Sequence, residues 1–142
     1  MPKLISDIFK EIEKTTGRKN KIAKLQEYES NNAFMQILEA VCDVRVIFEL
    51  PEGPPPFNTP EDMIDNIGGL YQELRKMYIF TKNSRSANIH NIKRERIFIE
   101  MLESIHPEDA KLMVSVKDKK LPYNGITTKL VEEAFPERFK YE

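Results

Sequence analysis

Apolar residues recur at intervals of three and four along most of this chain, and that spacing restricts it to amphipathic helices sharing a core. Leu4, Ile5, Ile8, Phe9 and Ile12 form the first stripe, which Thr15-Thr16-Gly17 ends. A second stretch, about Lys19 to Tyr28, turns Ile22, Ala23 and Leu25 inward and leaves Lys21 and Lys24 outward. After Ser30-Asn31-Asn32, the residues Phe34, Ile37, Leu38, Val41 and Cys42 line a third helix, which makes Cys42 a core thiol. Val44, Val46, Ile47 and Phe48 are β-branched or aromatic and read as helix continuation or as a short extended piece.

Pro51-Glu52-Gly53-Pro54-Pro55-Pro56 cannot be helical, because proline lacks a donor and restricts its predecessor. A plain surface connector is favoured there over a polyproline ligand for a partner's groove. Thr59-Pro60-Glu61-Asp62 has the hydroxyl cap, first-turn proline and acids of a helix start, and Met63, Ile64, Ile67, Leu70, Tyr71, Leu74 and Met77 supply a buried face. Gly68-Gly69 within that stretch costs about 1 kcal/mol per residue in a continuous helix, so a close crossing or a break is expected there. Thr81 to Ala87 is a polar, basic loop. The next helix runs through Ile92, Ile97, Phe98, Met101 and Leu102, and carries Lys93, Arg94 and Arg96 near its start, where cations oppose the helix dipole. That placement points to a task outside the helix. His106-Pro107-Glu108-Asp109 starts a helix through Leu112, Met113 and Val116, and a last short helix spans Ile126 to Phe135. The expectation is an all-α, compact bundle of about seven helices in a single domain, residues 1–142.

Composition excludes several classes. One cysteine rules out an internal disulfide framework and suits a reducing compartment. No run approaches the roughly 18 apolar residues of a membrane span, and Met1-Pro2-Lys3 leads into an amphipathic segment rather than an apolar signal. His90 and His106 stand apart, His106 at a helix cap, and no His, Cys and carboxylate set has metal-ligand spacing. The glycines are too scattered for a phosphate loop, and spacing names no nucleophile–base pair. A non-enzymatic chain without metal or cofactor is expected. The net charge is −1, but it is unevenly spread: +2 over residues 1–30, −5 over 31–81, +4 over 82–129 and −2 over the rest. Two basic stretches around an acidic one permit an anionic partner on one side.

The best anion-binding signal is Leu121-Pro122-Tyr123-Asn124-Gly125-Ile126-Thr127-Thr128-Lys129, a turn feeding a helix N-terminus. Free backbone donors, two hydroxyls and a lysine one turn in are the parts of a phosphate contact. Lys117, Lys119 and Lys120 precede the turn, and the Tyr123 ring is placed to lie against a sugar. An ordinary capped helix is the plainer reading of the turn taken alone.

This turn-helix, Leu121 to Pro136, is similar to the final turn-helix of the DNA-binding domain at the front of T-even-type phage ATP-dependent DNA ligases. Leu102 to Val116 resembles the helix before it. Lys19-Asn20-Lys21-Ile22-Ala23-Lys24-Leu25-Gln26-Glu27-Tyr28 resembles the early basic segment of those domains. The chain also resembles small uncharacterised proteins of T-even-like phages. Leu121-Pro122-Tyr123 stands where the family's turn carries an arginine, and no Lys-x-Asp-Gly nucleophile is present, Lys117-Asp118-Lys119 lacking the glycine.

The resemblance implies a ligase-domain-like helical bundle that touches the sugar-phosphate backbone of nicked or intact double-stranded DNA, here without ligation. The expected surface comprises Lys19, Lys21, Lys24, Lys82, Arg85, Lys93, Lys117, Lys119, Lys120, Tyr123, Asn124, Gly125, Thr127, Thr128 and Lys129. The implied role is an accessory factor in phage replication, recombination or repair, in the cytoplasm of the infected host cell. The alternative is a protein-interaction or inhibitor module on the same scaffold. It would bind a replication protein such as a sliding clamp, or a host protein, through the acidic middle segment and the proline-rich loop.

Overall fold

The computed structural model describes residues 3–58 and 66–141. Its elements in order are α1 (Ile5–Lys14), α2 (Arg18–Glu27), α3 (Asn32–Cys42), α4 (Gly69–Glu73), a 3-10 turn (Leu74–Lys76), α5 (Met77–Phe80), α6 (Asn91–Glu103), α7 (Pro107–Lys117) and α8 (Thr128–Ala134). Because α4, the 3-10 turn and α5 run on without a gap, the described residues hold seven helical runs. The fold is an all-α bundle, and none of its described helices is long and apolar enough to cross a membrane.

Helix α1 sits against α2 and α7, α3 against α7 and α8, α6 against α5 and α7, and α2 along α8. The α1 stripe is buried as its spacing requires, and so are Phe34, Ile37, Leu38, Val41 and Cys42 of α3. Phe9 is the centre: its ring lies 4.9 Å from that of Phe34 and 5.1 Å from that of Tyr123. Burial pushes the Cys42 thiol up to about 11, which makes it an inert core group. Asn31 caps α3, accepting from the Phe34 amide at 3.1 Å, and His106 caps α7 through Nδ1, accepting from the Glu108 amide at 3.0 Å.

Several expectations need correction. Ala23 is exposed, because α2 turns only Leu25 fully inward, with Ile22 half-buried. Ile92 is 71% exposed and so lies off the buried stripe of α6. The expected start at Thr59 to Asp62, with Met63 and Ile64, lies outside the described residues. Of the close crossing and the break read at Gly68-Gly69, the break is found: residues 67–68 form a turn and α4 begins at Gly69, while Ile67, expected on the buried face, is exposed. The Asn66 side chain explains this break. It donates to the Ser104 carbonyl at 2.8 Å and lies 2.6 Å from where a Cβ at position 69 would stand. Beyond Cys42 the chain leaves the helix, so helix continuation fails: residues 44–45 form a turn, and the extended piece is confined to the stretch around Phe48. Phe48 makes an antiparallel bridge with Thr81.

Candidate nucleic-acid interface

Helix α7 ends in a backbone motif that dictates where the expected basic cluster goes. The Lys119 amide donates to the Val116 carbonyl at 2.8 Å and the Lys120 amide to the Ser115 carbonyl at 3.0 Å, a Schellman closure. The residue in the left-handed position of that motif is normally glycine; here it is Lys119, with φ +62°. Its ammonium group compensates by donating to the carbonyls of Asp43 and Val46, each at 2.7 Å. Burial lowers its pKa. Lys119 is therefore half-buried, not exposed as expected for a phosphate contact. Lys117 is buried outright and donates to the carbonyls of Pro51 and Gly53, at 2.9 and 2.8 Å, and to the Asp118 carboxylate at 2.7 Å. Both lysines hold the segment between α3 and the proline-rich loop.

Three more of the expected contacts have structural work. Lys21 donates to the carbonyls of Ile12, Glu13 and Thr15, closing the C-terminus of α1. Lys24 pairs with Glu11 at 3.0 Å and Glu27 at 3.3 Å. The Tyr123 ring lies parallel to Phe9, interplanar angle 5°, and burial raises its hydroxyl pKa. The ring is half-buried, and the face stacked on Phe9 is closed to a sugar. Arg94, read from its position as reaching outward, is also buried. Its guanidinium donates to the carbonyls of Ile79, Ser86 and Ile89 and to the Asn91 side chain. It clasps the 81–89 loop to α5 and α6.

What remains is a smaller exposed set. Lys19, Lys82, Lys93, Lys120 and Lys129 are exposed and in no ion pair among the described residues. Arg85 is exposed too, its guanidinium 3.9 Å from the centre of the Tyr78 ring. Asn124, Gly125, Thr127 and Thr128 are exposed at the turn. Thr127 caps α8, accepting from the Leu130 amide at 3.2 Å, while the amides of Thr128 and Lys129 have no acceptor among the described residues. Gly125 holds φ +80°, and a Cβ there would stand 3.0 Å from the Lys21 side chain. The Asn124 amide donates to the Glu13 carboxylate, so one acid sits beside this turn.

Two parts of the basic stretch 82–129 meet through the segment after α3. Its carbonyls at Asp43 and Val46 take the Lys119 ammonium, and its Ile47 carbonyl takes the Lys82 amide at 2.8 Å. The 82–85 loop and the Lys119–Lys120 turn thus flank one short segment. Sequence reasoning missed that bridge, and it missed Arg94 as a clasp. Neither leaves a local signal, since both depend on carbonyls supplied from elsewhere in the chain.

No curated protein and no solved structure matches this chain. A model of a family of unknown function (DUF6433) matches residues 8–123, from α1 to the turn after α7. The chain belongs to that family.

Proposed function

We propose that this chain is a non-catalytic accessory protein that holds double-stranded DNA by its sugar-phosphate backbone, in phage DNA replication, recombination or repair. The observation that carries this reading is the set of exposed cations in no ion pair among the described residues: Lys82, Arg85 and Lys120 in the two loops that the segment after α3 joins, and Lys129 in the first turn of α8. The free amides of Thr128 and Lys129 support it as minor contacts, because α8 is too short to hold an anion through its dipole. The resemblance of the turn-helix to ligase DNA-binding domains points the same way. Loss of Lys21, Lys24, Lys117, Lys119 and Tyr123 to structural roles makes the surface smaller than the fifteen expected residues. Modest affinity and backbone contact without base reading are the consequence.

Fluorescence anisotropy of nicked, intact and single-stranded oligonucleotides titrated with the protein tests this. Duplex binding that weakens as salt is raised is expected, and stronger binding to the nicked duplex would tie the surface to the ligase resemblance. Flat anisotropy with all three probes at low salt would overturn the reading.

A further inference from the structure

Residues 45–51 alternate without exception: Arg45, Ile47, Glu49 and Pro51 are exposed, whereas Val46, Phe48 and Leu50 are half-buried and pack on the core. A period of two is that of extended backbone, although residues 44–45 form a turn, residue 50 a bend, and only Phe48 is in a β bridge. One edge of this short segment is paired at Phe48. The Glu49 amide donates to the Phe80 carbonyl and the Lys82 amide to the Ile47 carbonyl, each at 2.8 Å, around the Phe48–Thr81 bridge. In an antiparallel pair the residues between those bonds turn their own amides and carbonyls to the other side. The amide and carbonyl of Phe48 accordingly face the opposite edge, and those of both Phe48 and Leu50 have no intramolecular partner among the described residues.

That open edge borders a groove of 440 Å³ between residues 44–52 and residues 117–119. Two ammonium groups close its ends. Lys119 takes the carbonyls of Asp43 and Val46, and Lys117 those of Pro51 and Gly53. Four backbone groups in a row stay available between them. Two of the exposed large apolar side chains, Val44 and Ile47, stand on the same segment at 43% and 52% exposure. Lys119 has three N–H donors and two acceptors. The Asp43 carboxylate is taken by Arg45 and that of Asp118, which also lines the groove, by Lys117, each at 2.7 Å, so the Lys119 ammonium is left with a donor and no ion pair among the described residues.

We infer that this edge is a strand-addition site for a short extended peptide of a partner protein, whose carboxylate lies beside Lys119. The main-chain groups of Phe48 and Leu50 supply the pairing, and the apolar rim takes alternate side chains. A second copy of this chain fits less well. Its own edge is flanked by the same two lysines, so self-pairing brings ammonium against ammonium. This site shares neither Lys120 nor Lys129 with the proposed duplex surface, and it stands or falls independently of that reading.

The probe is the capped peptide acetyl-Thr-Val-Thr-Val-Glu-amide, with a Lys-ended version and a version N-methylated at alternate residues as controls. Amide hydrogen exchange of the whole chain is followed by NMR. With the Glu-ended peptide at about ten times its Kd, exchange at Phe48 and Leu50 is expected to slow about tenfold. The N-methylated peptide should have no effect, and the Lys-ended one should bind more weakly. Lys119→Met should abolish the preference for Glu over Lys. Unchanged exchange at both amides with millimolar Glu-ended peptide would overturn the site. So would protection that grows with protein concentration in the absence of peptide, since a second copy would then cover the edge. Intact duplex should leave both amides unaffected.

Discussion

At the scale of single residues, the most consequential positions are charged groups that have left the surface. Arg94 brings three main-chain carbonyls and one side chain to a single guanidinium. Removing it leaves those acceptors unsatisfied, at about 1–3 kcal/mol each where no water reaches. Arg94→Met is expected to destabilise the protein by about 3 kcal/mol in urea unfolding, and an effect within error would contradict the clasp. Asp109 is fully buried. It accepts from the Ser6 amide at 3.0 Å, and its second oxygen and the Ser6 hydroxyl have no partner among the described residues. Burial raises its pKa, with Asp7 adding to the shift and the Ser6 amide bond and His106 opposing it. A raised carboxyl pKa contributes most below the unfolded value and loses that contribution as pH rises through the folded one. Asp109→Asn, whose amide has a proton for the Ser6 hydroxyl, is expected to match or exceed the wild type at neutral pH. Its advantage should shrink on acidification, and a difference independent of pH would refute the account. Such residues were illegible beforehand because charge type predicts exposure, and burial of a charge depends on partners that no local pattern reveals.

At the scale of elements, periodicity was a sound guide wherever a helix buries one broad stripe. Helices α1 and α3 follow it residue by residue. It failed at Ala23 and Ile92, where the helix lies near the rim and fewer positions face inward. The Gly68-Gly69 pair was legible as a point of weakness, whereas the Asn66–Ser104 bond that exploits it was not. The stripe makes Phe34 a sensitive position, fully buried with its ring against those of Phe9 and Tyr28. Phe34→Ala should cost about 3–5 kcal/mol by denaturant unfolding, and a loss below about 1 kcal/mol would show that the site collapses without a cavity. Helices α1 and α2 are also joined by charge. Glu11 accepts from Lys3, Tyr28 and Lys24, and these bonds hold its carboxyl down to about 2. A depressed carboxyl stabilises above its unfolded value of 4.5, and that stability disappears as pH falls through about 2. Glu11→Gln should flatten the acid limb of stability, and an unchanged limb would assign it to other carboxylates.

At the scale of the whole molecule, a net charge of −1 conceals an arrangement that only the folded chain reveals. The basic stretch 82–129 folds so that its two ends flank residues 43–48, while Lys117 and Lys119 turn inward to hold that segment. The sequence indicated an all-α bundle and the turn at Gly125. It could not separate lysines that face solvent from lysines that satisfy carbonyls, because both have the same side chain and differ only in what the fold brings within reach. The proposed duplex surface therefore rests on Lys82, Arg85, Lys120 and Lys129. The salt dependence of duplex binding, measured for the wild type and for Lys120→Glu with Lys129→Glu, tests it most directly. Four phosphate contacts give a slope of log affinity against log salt of about −3 to −4, and the double variant should lose about two units of that slope while unfolding at the same denaturant concentration. An unchanged slope in a folded double variant would contradict the proposed surface.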